Sequence, residues 1–379
     1  MLNSKAFGFS THCKVLEGVI KKVTGALASS QSPSFFIVGS KKKVAVVGMS
    51  GDTFASVTIP DTKADAEGAF GFAPDILVGL IKNRNEMDFA FNGNECNYKQ
   101  VKGQYKGHIV TLPVTGDQQS TCDTFITGGK KADMAIPADA ITLLKSGLLS
   151  TNVKDVYQGT TLMSFIILDK KGNLSVSSFD PQHFGLFKLD SGVKGLQFRA
   201  ALPASHFSLI DQIAGGEDIK FAITPSSVRV EGRSFTLVLP ATQAEDSHYD
   251  MVENFVAGLS KPVFRCTYDP AQLTTLTDNL FTLYNANTTF AISYKEGGSA
   301  INVSFTTPSG TASDSMKVKS GKTSKAFKAN VDPRLFKDIL LLSRAIKEPE
   351  LAVTDNVVIM QGTTSEEASL FLACARSEG

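Results

Sequence analysis

A proline recurs along this chain at one domain length. Pro74, Pro203 and Pro333 each follow an extended apolar step and open a stretch of helical spacing, and the intervals between them are 129 and 130 residues. Proline suits the first helical position, where its missing N–H is a donor that no helix would use. Asp332, just before the third proline, is placed to cap the free donors of that first turn. One copy of the pattern runs from Phe70 to Pro113, a second from Phe198 to Pro240, and a third from Lys325 to Arg376. Near-constant spacing of this size predicts three copies of one module.

Taken in order, the chain predicts a first helix over Lys14–Leu27, with Val15, Leu16, Val19, Ile20, Val23 and Leu27 on its apolar face. Strands follow at Ser34–Gly39, Lys43–Met49, Thr53–Ile59 and Glu67–Phe72, with Lys41–Lys43 at a hairpin turn. The first Pro-started helix is expected to bury Ile76, Leu77, Leu80 and Ile81. The second should bury Phe207, Ile210 and Ile213 and stop at Gly215-Gly216. The third should run to about Lys347, ahead of strands at Leu351–Gln361 and Ser369–Arg376. Thr115–Lys131 and Ala241–Ser260 read as connectors, the first polar and the second acidic and partly apolar. Each module divides again into two β-α-β-β-β halves of about 60 residues. The expected class is α+β, with helices on one face of antiparallel sheets.

Composition narrows the function. The net charge of +1 predicts neither a general nucleic-acid binder nor an acidic tail, so any basic surface must be local. The five cysteines are scattered and form no CxxC, which points to a reducing compartment without a disulfide framework. No basic-then-apolar leader opens the chain, and no apolar run is long enough to span a membrane. The triplets at Asn173, Asn287 and Asn302 then read as chance matches to a glycosylation pattern.

Catalytic motifs do not assemble. Ser320-Gly321-Lys322-Thr323 resembles the end of a phosphate-binding loop, but Met316 stands where the required glycine belongs and strands are expected on both sides. A hairpin loop is the expectation there. The five histidines, at 12, 108, 183, 206 and 248, have no metal-ligand spacing. Neither a Gly-x-Ser-x-Gly elbow nor a dinucleotide fingerprint is present. Basic residues on helices are the informative pattern: Lys14, Lys21 and Lys22 on the first helix, Lys82 and Arg84 at the end of the next, Lys145, and then Arg334, Lys337, Arg344 and Lys347. Taken singly, each such face could simply be solvated. Aimed at a common surface, they would form a lining suited to a phosphate backbone, which Lys and Arg contact without reading sequence.

This arrangement resembles the bacterial-type DNA sliding clamp, the β processivity subunit of replicative polymerases. The likeness spans nearly the whole chain and is most specific at its end, in Phe327…Asp332-Pro333, Glu350–Thr354 (ELAVT), Asn356–Gln361 and Leu370–Arg376 (LFLACAR). His108–Pro113 (HIVTLP) is similar to the close of the family's first domain. The resemblance implies three clamp modules at 1–116, 132–242 and 261–379, joined by connectors 117–131 and 243–260, and a head-to-tail homodimeric ring with helices inside and sheets outside. It implies duplex DNA held without sequence preference, a tethered DNA polymerase, an ATP-driven clamp loader, and neither cofactor nor metal in the clamp itself. It also implies a non-enzymatic, cytoplasmic protein of DNA replication.

Further residues enter only through that resemblance. A partner-peptide pocket would be walled by Phe179, His183, Phe184 and Leu186, with Leu372, Ala373, Cys374, Ala375 and Arg376. A dimer contact would join Ile109 to Phe281 and Leu283. Two departures stand out. The tail lacks the family's proline and both methionines, and Gly107 falls where the family often has a large apolar residue. Such divergence fits a viral (phage) clamp. The competing expectations are a three-module assembly protein without DNA, separable by salt-dependent DNA association, and an enzyme with a site between modules.

Overall fold

In the computed structural model, alternation of buried and exposed side chains writes most of the chain into antiparallel strands. Residues 5–28, 30–127, 134–136, 163–179, 183–190, 198–203, 205–224, 226–243, 250, 254–259, 261–281, 289–364 and 368–376 are described. The clearest case was missed by the sequence reading. Phe7–His12 is a strand, with Phe7, Phe9 and Thr11 buried and Ser10 and His12 exposed, paired in register with Glu86–Asn92. The chain forms two compact units, Met1–Ala138 with Ser208–Ala241, and Asp139–Phe207 with Thr242–Gly379.

The first unit holds an eight-stranded and a four-stranded sheet. The larger one is seamed from two parts of the chain, where Thr53–Ile59 pairs with Phe235–Pro240. The helix Cys13–Ala26 lies on this sheet and against the helix Pro74–Ile81. It buries Leu16, Val19, Ile20 and Val23, each contributing about 1.5–3 kcal/mol by leaving water. Gly48 allows the close approach, since a Cβ there would lie 2.7 Å from Val23 Cγ1. The expected apolar faces are narrower than drawn. Val15 and Ile76 are exposed, Ile76 to 61 %, because Leu77 and Ile81, one turn apart, suffice to seat the shorter helix.

The second unit holds a ten-stranded and a four-stranded sheet. Its larger sheet also has a seam, where His183–Asp190 pairs with Ser369–Ala375. The helices Pro270–Phe281 and Pro333–Ser343 lie side by side. Both start as proline chemistry dictates: Asp269 Oδ1 accepts the Ala271 N–H at 3.0 Å, and Asp332 Oδ1 accepts the Arg334 N–H at 2.8 Å.

Four expectations change. Pro203 ends the strand Phe198–Pro203, opposite Met163, and the helix begins at Ser205. The third helix stops at Ser343, whose buried hydroxyl turns back to the Leu340 carbonyl, so Arg344 and Lys347 lie beyond it. The first connector is not irregular: Gly116–Thr127 is a helix that seats Cys122 and Phe125 on the eight-stranded sheet. Ser320–Ser324 is an edge strand paired with Phe264–Thr267, not a hairpin loop. The helix expected after Pro137, with Ile141, Leu144, Lys145 and Leu148, lies outside the described residues.

Candidate functional site

Each unit presents a helix pair whose outer surface carries cations. On the first pair Lys14, Lys21 and Lys82 are exposed, with Lys21 held by Glu17 at 2.6 Å. Hydrogen bonding to Lys21 is the main cause that keeps the Glu17 carboxyl below its usual range. Lys22 instead donates to the Ile213 carbonyl at 3.1 Å, on the last turn of Ser205–Ala214, where a cation suits the helix dipole. Arg84 lies over Tyr105, its guanidinium carbon 3.7 Å from the ring centroid. On the second pair Arg334 is bound to Asp332 at 2.8 Å, Lys337 to Asp278 at 3.4 Å, and Arg344 Nε donates to Thr274 Oγ1 at 3.2 Å. Burial raises the Asp332 carboxyl, but hydrogen bonds from Arg334 outweigh it and leave the group low. Lys14, Lys21, Lys82, Arg334 and Arg344 are exposed while Lys22, Arg84 and Lys337 are half-buried, and the carboxylates beside them temper the field they project.

The second feature is one face of the ten-stranded sheet. Its seam sets Phe184 opposite Ala373 and Leu186 opposite Phe371, so segments almost two hundred residues apart in sequence share one apolar surface. Ala352, Val357 and Ile359 continue it, and Phe255, Val256 and Leu259 cover part of it from the segment 254–259. Phe255 stacks on Phe184 with centroids 4.4 Å apart. Beside this cover lies a groove of about 710 Å³, lined by Leu186, Val256 and Phe371 on its apolar side and by Lys188, Lys347 and Glu348 among its polar groups. Glu350, also lining it, is engaged by Arg265 at 3.5 Å and Gln361 at 2.8 Å.

The expected pocket residues divide. Phe184, Leu186 and Ala373 lie together on the groove face. Leu372 and Cys374, one step out of phase, belong to the opposite face. Burial pushes the Cys374 thiol up to about 12, far from reactive range. Ala375 ends the strand, and Arg376 donates to the carbonyls of Thr354 at 2.9 Å and Lys328 at 2.8 Å. The side chains of Phe179, His183 and Phe281, and all of Leu283 and Lys145, lie outside the described residues. Ile109 is half-buried on Lys106–Val110, the outermost strand of its sheet, and Val110 is 78 % exposed. The room over Gly107 is filled from the next strand: a Cβ there would sit 2.7 Å from Tyr98 Cζ.

Sequence reasoning passed over Phe255, Val256, Leu259, Phe371 and Lys188. The spacing of the first three, one helical turn, was the available signal. All five cysteines are buried and free. Among the described residues no group of three His, Cys, Asp or Glu side chains is placed to hold a metal ion, and no helix is long and apolar enough to cross a membrane.

No family model and no curated protein matches the sequence. Solved structures do. The DNA polymerase sliding clamp from Bacillus subtilis aligns with a TM-score of 0.78 at 12 % identity, covering 99 % of this chain and 100 % of that one. The beta subunit from the DNA polymerase of Streptococcus pyogenes gives 0.77 at 10 %, covering 98 % and 100 %. The DNA polymerase III subunit beta from Pseudomonas aeruginosa gives 0.76 at 12 %, again covering 98 % and 100 %. Identities this low carry the architecture and not the activity. Over nearly its whole length, the chain has the α+β fold of the bacterial DNA polymerase sliding clamps, in a widely diverged sequence.

Proposed function

We propose that this chain is a DNA sliding clamp: a non-enzymatic scaffold that closes with a second copy into a ring around duplex DNA and tethers a DNA polymerase. In this reading its modules are 1–116, 132–242 and 261–379, and the ring is head-to-tail. An ATP-driven loader opens it, and it works in a cytoplasm, the host's if it is viral. The observation that carries the reading is the match to sliding clamps over 99 % of this chain and all of theirs.

Two features support it. Cations stand exposed on the helix pairs of both units, where a duplex would be contacted through phosphates and slide without sequence preference. Each unit also carries a four-stranded sheet whose outer strand, Lys106–Val110 in one and Gly310–Lys317 in the other, has no further strand beside it among the described residues. Unpaired strand edges are ready partners for another chain. Partner peptides would enter the groove beside Leu186 and Phe371.

Topology supplies the test. The protein is loaded onto nicked circular plasmid, by its own opening at high concentration or with a clamp loader, and passed through gel filtration in high salt. Retention on the circle that disappears when the plasmid is cut once is the expected result. Equal behaviour on circle and line would sink the proposal, because simple phosphate binding does not depend on DNA ends and fades with salt.

A further inference from the structure

Lys347 occupies a different place from the one helical periodicity assigns it. The helix has ended at Ser343, and Ile346, 2 % exposed, is tied back by its N–H to the Ser343 carbonyl at 3.0 Å. The next N–H, that of Lys347, donates to the Thr363 carbonyl at 3.0 Å. Lys347 is thereby fixed at the end of a row that crosses the ten-stranded sheet. Thr363 pairs with Ser369, and Ser369 pairs with Lys188. Three such spacings, about 14 Å, separate the backbone of Lys347 from that of Lys188, and the two long side chains can reach toward each other across that distance. Lys188 and Lys347 are both exposed, both line the groove, and among the described residues neither is paired with a carboxylate. The adjacent row is apolar where it begins, at Leu186 and Phe371.

Charge settles which ligand this suits. Among the described residues that line the groove, Glu350 is already engaged by Arg265 and Gln361, which leaves Glu348 as the other carboxylate beside the two lysines. The described lining of the groove therefore carries a net positive charge at one end beside an apolar one. A nucleic-acid backbone would use the lysines and leave Leu186, Val256 and Phe371 wetted. A purely apolar peptide would leave the lysines idle. We propose that the groove takes an extended peptide whose bulky apolar side chain rests on Leu186, Val256 and Phe371 and whose neighbouring acidic side chain is bound between Lys188 and Lys347. This rests on the reading of that face as the clamp's partner site. It removes Lys347 from the DNA-facing set and gives it to partner recognition.

The experiment uses the full chain and fluorescent Gly/Ala peptides with a central Phe followed by Asp, Asn or Lys. Anisotropy should rank them Asp over Asn over Lys, with about tenfold between the extremes at low salt and less as salt rises. In Lys188→Glu/Lys347→Glu the order should invert, with the Lys peptide now bound best. Both lysines are exposed, so the variant's melting curve should match the parent's, and Lys188→Gln/Lys347→Gln, which should bind all three alike, guards against a folding artefact. Retention of Lys347→Glu on circular DNA should be unchanged. If the three peptides bind the parent equally, the acid-binding role is overturned while the peptide groove stands. If none binds, the groove reading falls with it. If duplex DNA displaces the Asp peptide from the parent, and the double Glu variant loses DNA retention, the lysines serve nucleic acid and the proposal is wrong.

Discussion

His206 carries the sharpest single-residue consequence. Burial leaves its Nδ1 without a hydrogen-bond partner and pushes its pKa down to about 4 from an ordinary 6.5. The unfolded chain takes up a proton near pH 6.5, and the folded one resists until about pH 4. The stability this group protects is thus complete above pH 6.5 and lost as pH falls toward 4. Urea melts across that window should show a decline on the order of 2–3 kcal/mol that His206→Gln lacks. Parallel profiles for the two proteins would contradict it. The sequence contained His206 as one of five histidines without metal spacing, and nothing in that spacing marked it as buried. Arg376 makes the same point in reverse. Resemblance put it in a partner pocket, whereas its guanidinium holds two backbone carbonyls across more than twenty residues of chain.

At the scale of elements, the two connectors do comparable work with different reach. Both seal an apolar patch where two stretches of distant strand meet, Phe54 opposite Val238 in one unit and Phe184 opposite Ala373 in the other. Gly116–Thr127 is a twelve-residue helix, anchored at its end by the Arg229 guanidinium on the Phe125 carbonyl. The segment 254–259 covers its patch in part, and a groove lies beside it. Phe125→Ala should cost about 2–3 kcal/mol, since Phe125 stacks on Phe54 at 5.2 Å and is only partly exposed. The variant should also bind more of a dye that reports exposed apolar surface. A loss below about 0.5 kcal/mol would mean that the helix is not the cover described. The segment GDQQSTCDTFIT reads as polar, and its two apolar anchors are too few to raise a helical signal without the sheet beneath them.

For the molecule as a whole, the proposed ring would put copies together at the outer strands of the four-stranded sheets. Val110 and Leu112, 78 % and 59 % exposed, are apolar side chains at and just beyond the end of one such strand. If they help close a dimer, Val110→Glu/Leu112→Glu should shift light scattering from twice the chain mass to the chain mass across a concentration series. Its unfolding free energy at low concentration should stay within about 0.5 kcal/mol of the parent, because neither residue is in a core. A parent that is monomeric at every concentration would leave the fold intact and remove the preformed ring.

Local chemistry was sufficient for much of this protein. Proline at Pro74, Pro270 and Pro333, capping by Asp269 and Asp332, the Gly215-Gly216 stop and period-2 alternation place most helices and strands from sequence alone, because each depends on neighbours within a few residues. The triple spacing of helix starts carried the same logic to the architecture. What no local signal could contain is which strands meet across two hundred residues, which cations find an acid, and which connector leaves a groove uncovered. Those outcomes depend on long-range register. Pairing Lys188 with Ser369, and Ser369 with Thr363, is what sets Lys347 beside an apolar floor, where helical periodicity alone had placed it on a basic face.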